Sequence, residues 1–327
     1  MHLGYISPSS IFNKELYMDH RFTLSDFVNF YVLLLAVPVF FIISNYLFLR
    51  KPVEWSVCYQ YLKRIIKLAI FWPVLLMFDY QGWQILAWLP RSGVDLIWFI
   101  LSGGNTIYYF FVSLIGLTII THFSKSIRTR YIAIFFILTT LLVSTLPLIS
   151  MTTGMYILTI FWNPLNFLPY PFAALLVSRL IDLKLNKQKQ IYLMIGWFLL
   201  CFLTMIIDWV VYIDAGFFEV SPFAIPAYTR SSLIFISMAV LYFSIKIRPK
   251  FNRIIDFMSR YSLGLYCLHI FFVPLGITLS KRNIIMSLPI TLSLSYLAAI
   301  IWSKVAIIWP HFLRLSQRAF KSLPRSS

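Results

Sequence analysis

The chain has 327 residues, of which 60% are hydrophobic and only 12% charged. A soluble domain carries about 25% charged residues, so this sequence has too few to coat a water-facing surface. The net charge of +17 invites a nucleic-acid reading, but the bases lie in short loops between apolar runs rather than in a stripe on a folded domain, which excludes it.

Apolar runs of helix length recur from Phe27 to Trp309. The short alternating segments of a β-barrel are absent, which leaves helices as the spanning structure that satisfies every backbone group internally. The predicted fold is all-α, a polytopic transmembrane bundle of about nine spans at about 20 apolar residues each. It forms one integral membrane domain over 1–327, with an extracytoplasmic segment at 1–27 and a basic tail at 310–327. In chain order the spans are 28–49, 64–82, 98–121, 131–149, 160–181, 190–213, 226–246, 262–280 and 284–309. Gly93, Gly103 and Gly104 interrupt the aromatic-rich stretch 83–104, a candidate re-entrant segment. Pro164, Pro169 and Pro171 make the fifth span irregular.

Alternate loops separate by charge. One set holds Arg50, Lys51, Lys63, Arg64 and Lys67, then Lys125, Arg128 and Arg130, then Arg179 to Lys189, then Lys246 to Arg260, and finally the tail from Lys304. The other holds Lys14, Arg21, Arg91, Arg230, Lys281 and Arg282 with most of the acids, among them Asp208 and Asp214. The first set is therefore cytoplasmic. Residues 1–27 then lie outside, although they are polar and carry no apolar export segment. A chain lacking a first helix has this appearance, and so does a short N-terminus translocated unaided. Cys58, Cys201 and Cys267 are isolated, so neither a disulfide framework nor a metal site is expected.

Three stretches resemble the acyltransferase 3 family of multispanning membrane enzymes, which includes O-acetyltransferases of bacterial surface polysaccharides. Ala36-Val-Pro-Val-Phe-Phe-Ile-Ile-Ser-Asn-Tyr-Leu-Phe48 is similar to the family's second helix. Tyr61-Leu-Lys-Arg-Ile-Ile-Lys67 with Trp72-Pro73 is similar to the basic entry of its third, and Ser259-Arg-Tyr-Ser-Leu-Gly-Leu-Tyr-Cys-Leu-His269 to a late helix. The matches fall in the family's order. Asn45 stands where the family has glycine, the family's middle His-Leu-Trp-Phe pattern appears only as Thr106-Ile-Tyr-Tyr109, and the first helix with its catalytic histidine is absent.

The spacing from His2 to Val37 is about that between the family's catalytic histidine and its second-helix motif. His2 is therefore the candidate base of a longer chain with ten spans, against the alternative of an N-terminal histidine without a role. The resemblance implies transfer of an acyl group, acetyl first, from acetyl-CoA or another acyl-CoA to a hydroxyl of a surface polysaccharide or lipid-linked saccharide. No cofactor would be bound permanently, and the setting would be the bacterial inner membrane. Such a reaction needs a base for the hydroxyl proton, which histidine suits. Lys63, Arg64 and Lys67 have i, i+3 and i, i+4 spacing and can face one way, so they are candidates for the CoA phosphates; snorkelling lysines would look the same. His269 lies about 13 Å of helix beyond Arg260, at a depth where ionisable groups face a bundle interior, and Tyr266 shares its face. Its role is pocket, network or catalysis. Ser44 and Asn45 line a pocket or bond to a neighbouring helix. Asp208 and Asp214 meet a sugar hydroxyl or, as the better reading, are solvated loop acids. A transporter or flippase of a lipid-linked saccharide, and an inactive family remnant, are the competing functions.

Overall fold

The computed structural model describes residues 31–32, 34–81, 90, 92–104, 106–183, 185–214, 226–247, 252–280 and 284–321. Among them every regular element is helical. The α-helices are α1 (Ala36–Leu49), α2 (Trp55–Gln81), α3 (Gly93–Leu101), α4 (Tyr109–Ser124), α5 (Thr129–Thr153), α6 (Pro169–Asp182), α7 (Lys187–Asp214), α8 (Ser231–Ile247), α9 (Asn252–Leu279) and α10 (Ile284–Lys321). Two compact units divide them: α1 to α8 lie within residues 7–248, and α9 and α10 within 249–327.

Five segments are long and apolar enough to cross a membrane: Thr129–Thr153, Pro164–Asp182, Lys187–Tyr212, Tyr261–Leu279 and Met286–Lys304. Ala36–Leu49, Tyr109–Ser124 and Ser231–Lys246 are apolar but shorter. In the first unit α1 packs on α4, α6 and α8, and α6 packs in turn on α4, α5 and α8. Buried Ala173 and Ala174 of α6 let neighbouring backbones approach closely. The outer helices expose Leu138 and Leu141 of α5 and Phe198 and Phe202 of α7. In water such a surface would be costly; in hydrocarbon it needs no cover.

The structure revises two expected spans. The expected span 98–121 is broken, because α3 stops at Leu101 and α4 starts only at Tyr109. Gly103 and Gly104 take φ of 61° and 73° between them, a left-handed conformation that glycine adopts without steric cost. Thr106 Oγ1 donates to Gly103 O (2.5 Å) and accepts from Tyr108 N (3.1 Å), fixing the turn. The helix expected at 64–82 starts earlier, at Trp55, so its bases lie two to three turns inside it, and with those bases α2 is not among the segments apolar enough to count as candidate spans. The irregular fifth span takes the form of a 3-10 turn at Pro164–Phe167 followed by α6. Asn163 caps that turn by accepting from Leu165 N at 3.0 Å.

The second unit is an antiparallel helix pair built on small residues. Gly264 of α9 sits against Ala299, and Gly276 against Thr291 and the Ser287 carbonyl. A Cβ at either glycine would collide, so the close crossing depends on their having none. Cys267, Ile270, Val273, Ser287, Thr291, Ser295 and Ala299 are buried in this unit.

Candidate functional site

Asn45 is fully buried within α1. Its Nδ2 donates to Phe41 O at 2.8 Å, and its Oδ1 lies 2.7 Å from Thr121 Oγ1 on α4. Thr121 Oγ1 is also 2.8 Å from Leu117 O, so its single proton is shared between those two acceptors. The asparagine thus stands at a helix crossing and joins α1 to α4 by a hydrogen bond. Ser44, beside it, is also buried.

Several of the loop bases expected on the cytoplasmic side are committed to protein acceptors. Lys125 bonds Lys51 O, Arg179 bonds Ile127 O and Thr129 Oγ1, and Lys246 Nζ donates to Ile181 O at 3.0 Å. Cations near helix C-terminal carbonyls also complement the helix dipoles. Partial burial pulls the Lys125 ammonium below the usual lysine range. Arg50, just past α1, donates to the Tyr46 hydroxyl and to Asp182 (3.1 Å), and these contacts hold its pKa above the ordinary value. Lys51 lies 4.4 Å over the Tyr61 ring. His122, unassigned from sequence, packs edge-on against Trp55 at 5.3 Å.

Lys63, Arg64 and Lys67 differ. All three are exposed on one side of α2, while Leu62 before them and Ile65 between them are buried. Among the described residues none of the three has a hydrogen-bond or ion-pair partner. They are cations held at helical spacing with no neutralising partner among the described residues.

His269 and Tyr266 belong to the α9–α10 unit and are half-buried. His269 Nδ1 lies 2.6 Å from Tyr266 O, and the two rings meet edge-on at 5.6 Å. A carbonyl partner assigns the proton to Nδ1, which makes Nε2 the basic nitrogen of the neutral ring. His2 lies outside the described residues.

The most heavily buried charges were read wrongly from sequence. Asp208 is 3% exposed and Arg230 0%, so neither is a solvated loop residue. The Asp208 carboxylate, on α7, accepts from Ser232 N at 3.2 Å and from Ser231 Oγ at 3.4 Å. It therefore caps the N-terminus of α8, where free N–H groups and the helix dipole favour an anion. Arg230, the residue before α8, donates from Nη2 to Ala227 O at 3.3 Å and lies 5.0 Å from the centre of the Tyr31 ring. Tyr31 donates to Met205 O at 3.2 Å, and the Tyr212 hydroxyl lies 2.9 Å from Ser144 O and 3.2 Å from Thr229 O. This network joins α5, α7 and the buried non-helical segment 226–230. The usable signal was Asp208 itself, a carboxylate inside an apolar run, since an ionisable group there is functional by default. Asp214 is the last residue of α7.

The acyltransferase-domain profile of the acyltransferase 3 family matches residues 1–309. The chain belongs to that family. With its apolar helices it is an integral membrane protein of a membrane acyltransferase family. No curated protein and no solved structure matches it. Of the residues that resemble the family's motifs, Ser44 and Asn45 are buried in the first unit, Lys63, Arg64 and Lys67 face outward from it, and Tyr266 and His269 belong to the second.

Proposed function

We propose that the protein transfers an acyl group, acetyl first, from acyl-CoA at the cytoplasmic face to a hydroxyl of a surface polysaccharide or lipid-linked saccharide in the bacterial inner membrane. Family membership over residues 1–309 supports acyl transfer. The observation that supports a CoA donor is the unneutralised trio Lys63, Arg64 and Lys67 on one face of α2. Arg64 presents a planar fork suited to phosphate oxygens, and the two lysines add point charge.

In the reaction a base takes the acceptor's hydroxyl proton as its oxygen attacks the thioester carbonyl. The C–S bond breaks, an ester forms, and the thiol of CoA leaves with a proton. His2 is the proposed base, carried by the family resemblance. A path through an acyl-histidine gives the same balance. Ser44, Asn45, Tyr266 and His269 are the proposed pocket residues.

The test is initial-rate kinetics of purified protein in liposomes, with acetyl-CoA and a lipid-linked oligosaccharide, reading thiol release and acetylated product. Losing a charge-assisted hydrogen bond costs about 1.5–3 kcal/mol, so Arg64→Gln is expected to raise KM for acyl-CoA roughly 10- to 100-fold with kcat little changed. Full activity with unchanged KM in a combined Lys63→Gln, Arg64→Gln, Lys67→Gln variant would remove α2 from the donor site. Saccharide crossing the bilayer without acylation would favour transport instead.

A further inference from the structure

The same face of α2 continues beyond its bases. Lys67, Ile70, Phe71, Val74, Leu75 and Phe78 line an open cavity of about 520 Å³. Their spacing of three and four residues places them on one side of a helix. At 100° per residue Lys67 falls on the midline of this stripe, and Lys63 and Arg64 flank the midline one turn nearer the cytoplasm. Apart from the ammonium, the described lining residues are hydrocarbon. Ile70 is 61% and Val74 50% exposed, so the cavity opens outward.

We propose that this face binds an anionic phospholipid of the cytoplasmic leaflet, with its phosphate among Lys63, Arg64 and Lys67 and one acyl chain along Ile70 to Phe78. Two features select this occupant. The bases are unneutralised, and a phosphate supplies the missing charge. The groove from Lys67 to Phe78 rises about 16 Å, close to half of a hydrocarbon core about 30 Å thick, which is the depth of one leaflet. CoA fits the bases but not the groove, because the chain next to its phosphates carries amides that this lining cannot hydrogen-bond. Lipid phosphate and donor phosphates are thus alternative occupants of the same cations, and the lipid alone uses the apolar stripe.

The test needs no acyl-CoA. The full-length protein is reconstituted in phosphatidylcholine bilayers doped with phosphatidylglycerol and extracted gently. The retained lipids are then quantified by mass spectrometry and compared with the bulk mixture. One cation near an anionic headgroup changes its retention by about fivefold, so wild type is expected to enrich phosphatidylglycerol at least about tenfold over bulk. Combined Lys63→Gln, Arg64→Gln and Lys67→Gln is expected to abolish the enrichment. Val74→Trp fills the groove and leaves every base in place; it is expected to lower the enrichment, whereas Leu138→Trp, on the exposed face of α5, leaves it unchanged. In bilayers of phosphatidylcholine alone, where no anionic lipid competes for the bases, Val74→Trp is further expected to leave KM for acyl-CoA unaltered, which separates this site from the donor assignment. Retention at the bulk ratio in wild type, or a Val74→Trp result equal to Leu138→Trp, would overturn the proposal.

Discussion

Replacing Asp208 by alanine tests whether a carboxylate from one helix holds the start of another. The substitution removes the acceptor of Ser232 N and Ser231 Oγ from a site only 3% exposed. Loss of an N-cap costs about 0.5–2 kcal/mol, and leaving a buried donor unsatisfied costs about 1–3 kcal/mol more. A total of about 2–4 kcal/mol is expected, because the two penalties fall on overlapping groups. Asp208→Asn keeps an acceptor oxygen in place and gives up only the charge, so it is expected to cost about 1 kcal/mol. In a domain of this size 1 kcal/mol moves Tm by about 2–4 °C, which puts the alanine variant roughly 4–16 °C below wild type. The free cysteines supply the assay, since Cys58 and Cys267 are buried and react with a thiol-specific dye only as the protein opens. The measurement is the apparent Tm of dye labelling in detergent at a fixed scan rate, because such unfolding is kinetic in part. If both variants shifted Tm equally, or if neither shifted it, the capping argument would be wrong.

Two further substitutions probe the helix crossings. Asn45→Ala deletes the bond from α1 to Thr121 of α4; interhelical hydrogen bonds in membranes average about 0.6 kcal/mol with a maximum near 1.7, so a drop of a few degrees in the same assay is expected. Gly276→Val drives a branched side chain into Thr291 and the Ser287 carbonyl; overpacking of this kind costs about 1–3 kcal/mol. Thr291→Ala is expected to restore part of that loss, measured as protease resistance of the 249–327 region, and no rescue would contradict the close contact.

Much of the helical layout is legible in hydropathy because lipid-facing helices carry their own signal. The expected span 131–149 lies inside α5 (Thr129–Thr153), whose exposed leucines are apolar regardless of what packs behind them. The glycines mark 83–104 as interrupted, yet the span 98–121 runs across them because a hydropathy average gives Gly103 and Gly104 little polarity and does not see their turn. Burial of Asp208 and Arg230 was not legible, since it is created by Tyr31, Tyr212 and the 226–230 segment, distant in sequence from at least one of the pair. Asn45 was readable as polar inside an apolar run. Only the position of Thr121, on another helix, shows which neighbour it bonds. For Lys63, Arg64 and Lys67 the sequence supplied the common face, and the structure added that the charges are unneutralised and continue into a groove.

The loop bases that bond carbonyls belong to two stages in the life of the chain. By the charge asymmetry of the loops, Lys125, Arg179 and Lys246 are expected to act as orientation signals during insertion, a duty that any lysine or arginine nearby performs as well. Once the helices meet, each becomes a strap between loops or helices, to Lys51, Ile127 and Ile181 respectively. Relocating such a charge by a residue or two would preserve topology while leaving the strap unfastened. Mutational drift in these loops is therefore constrained more tightly than the orientation rule alone requires.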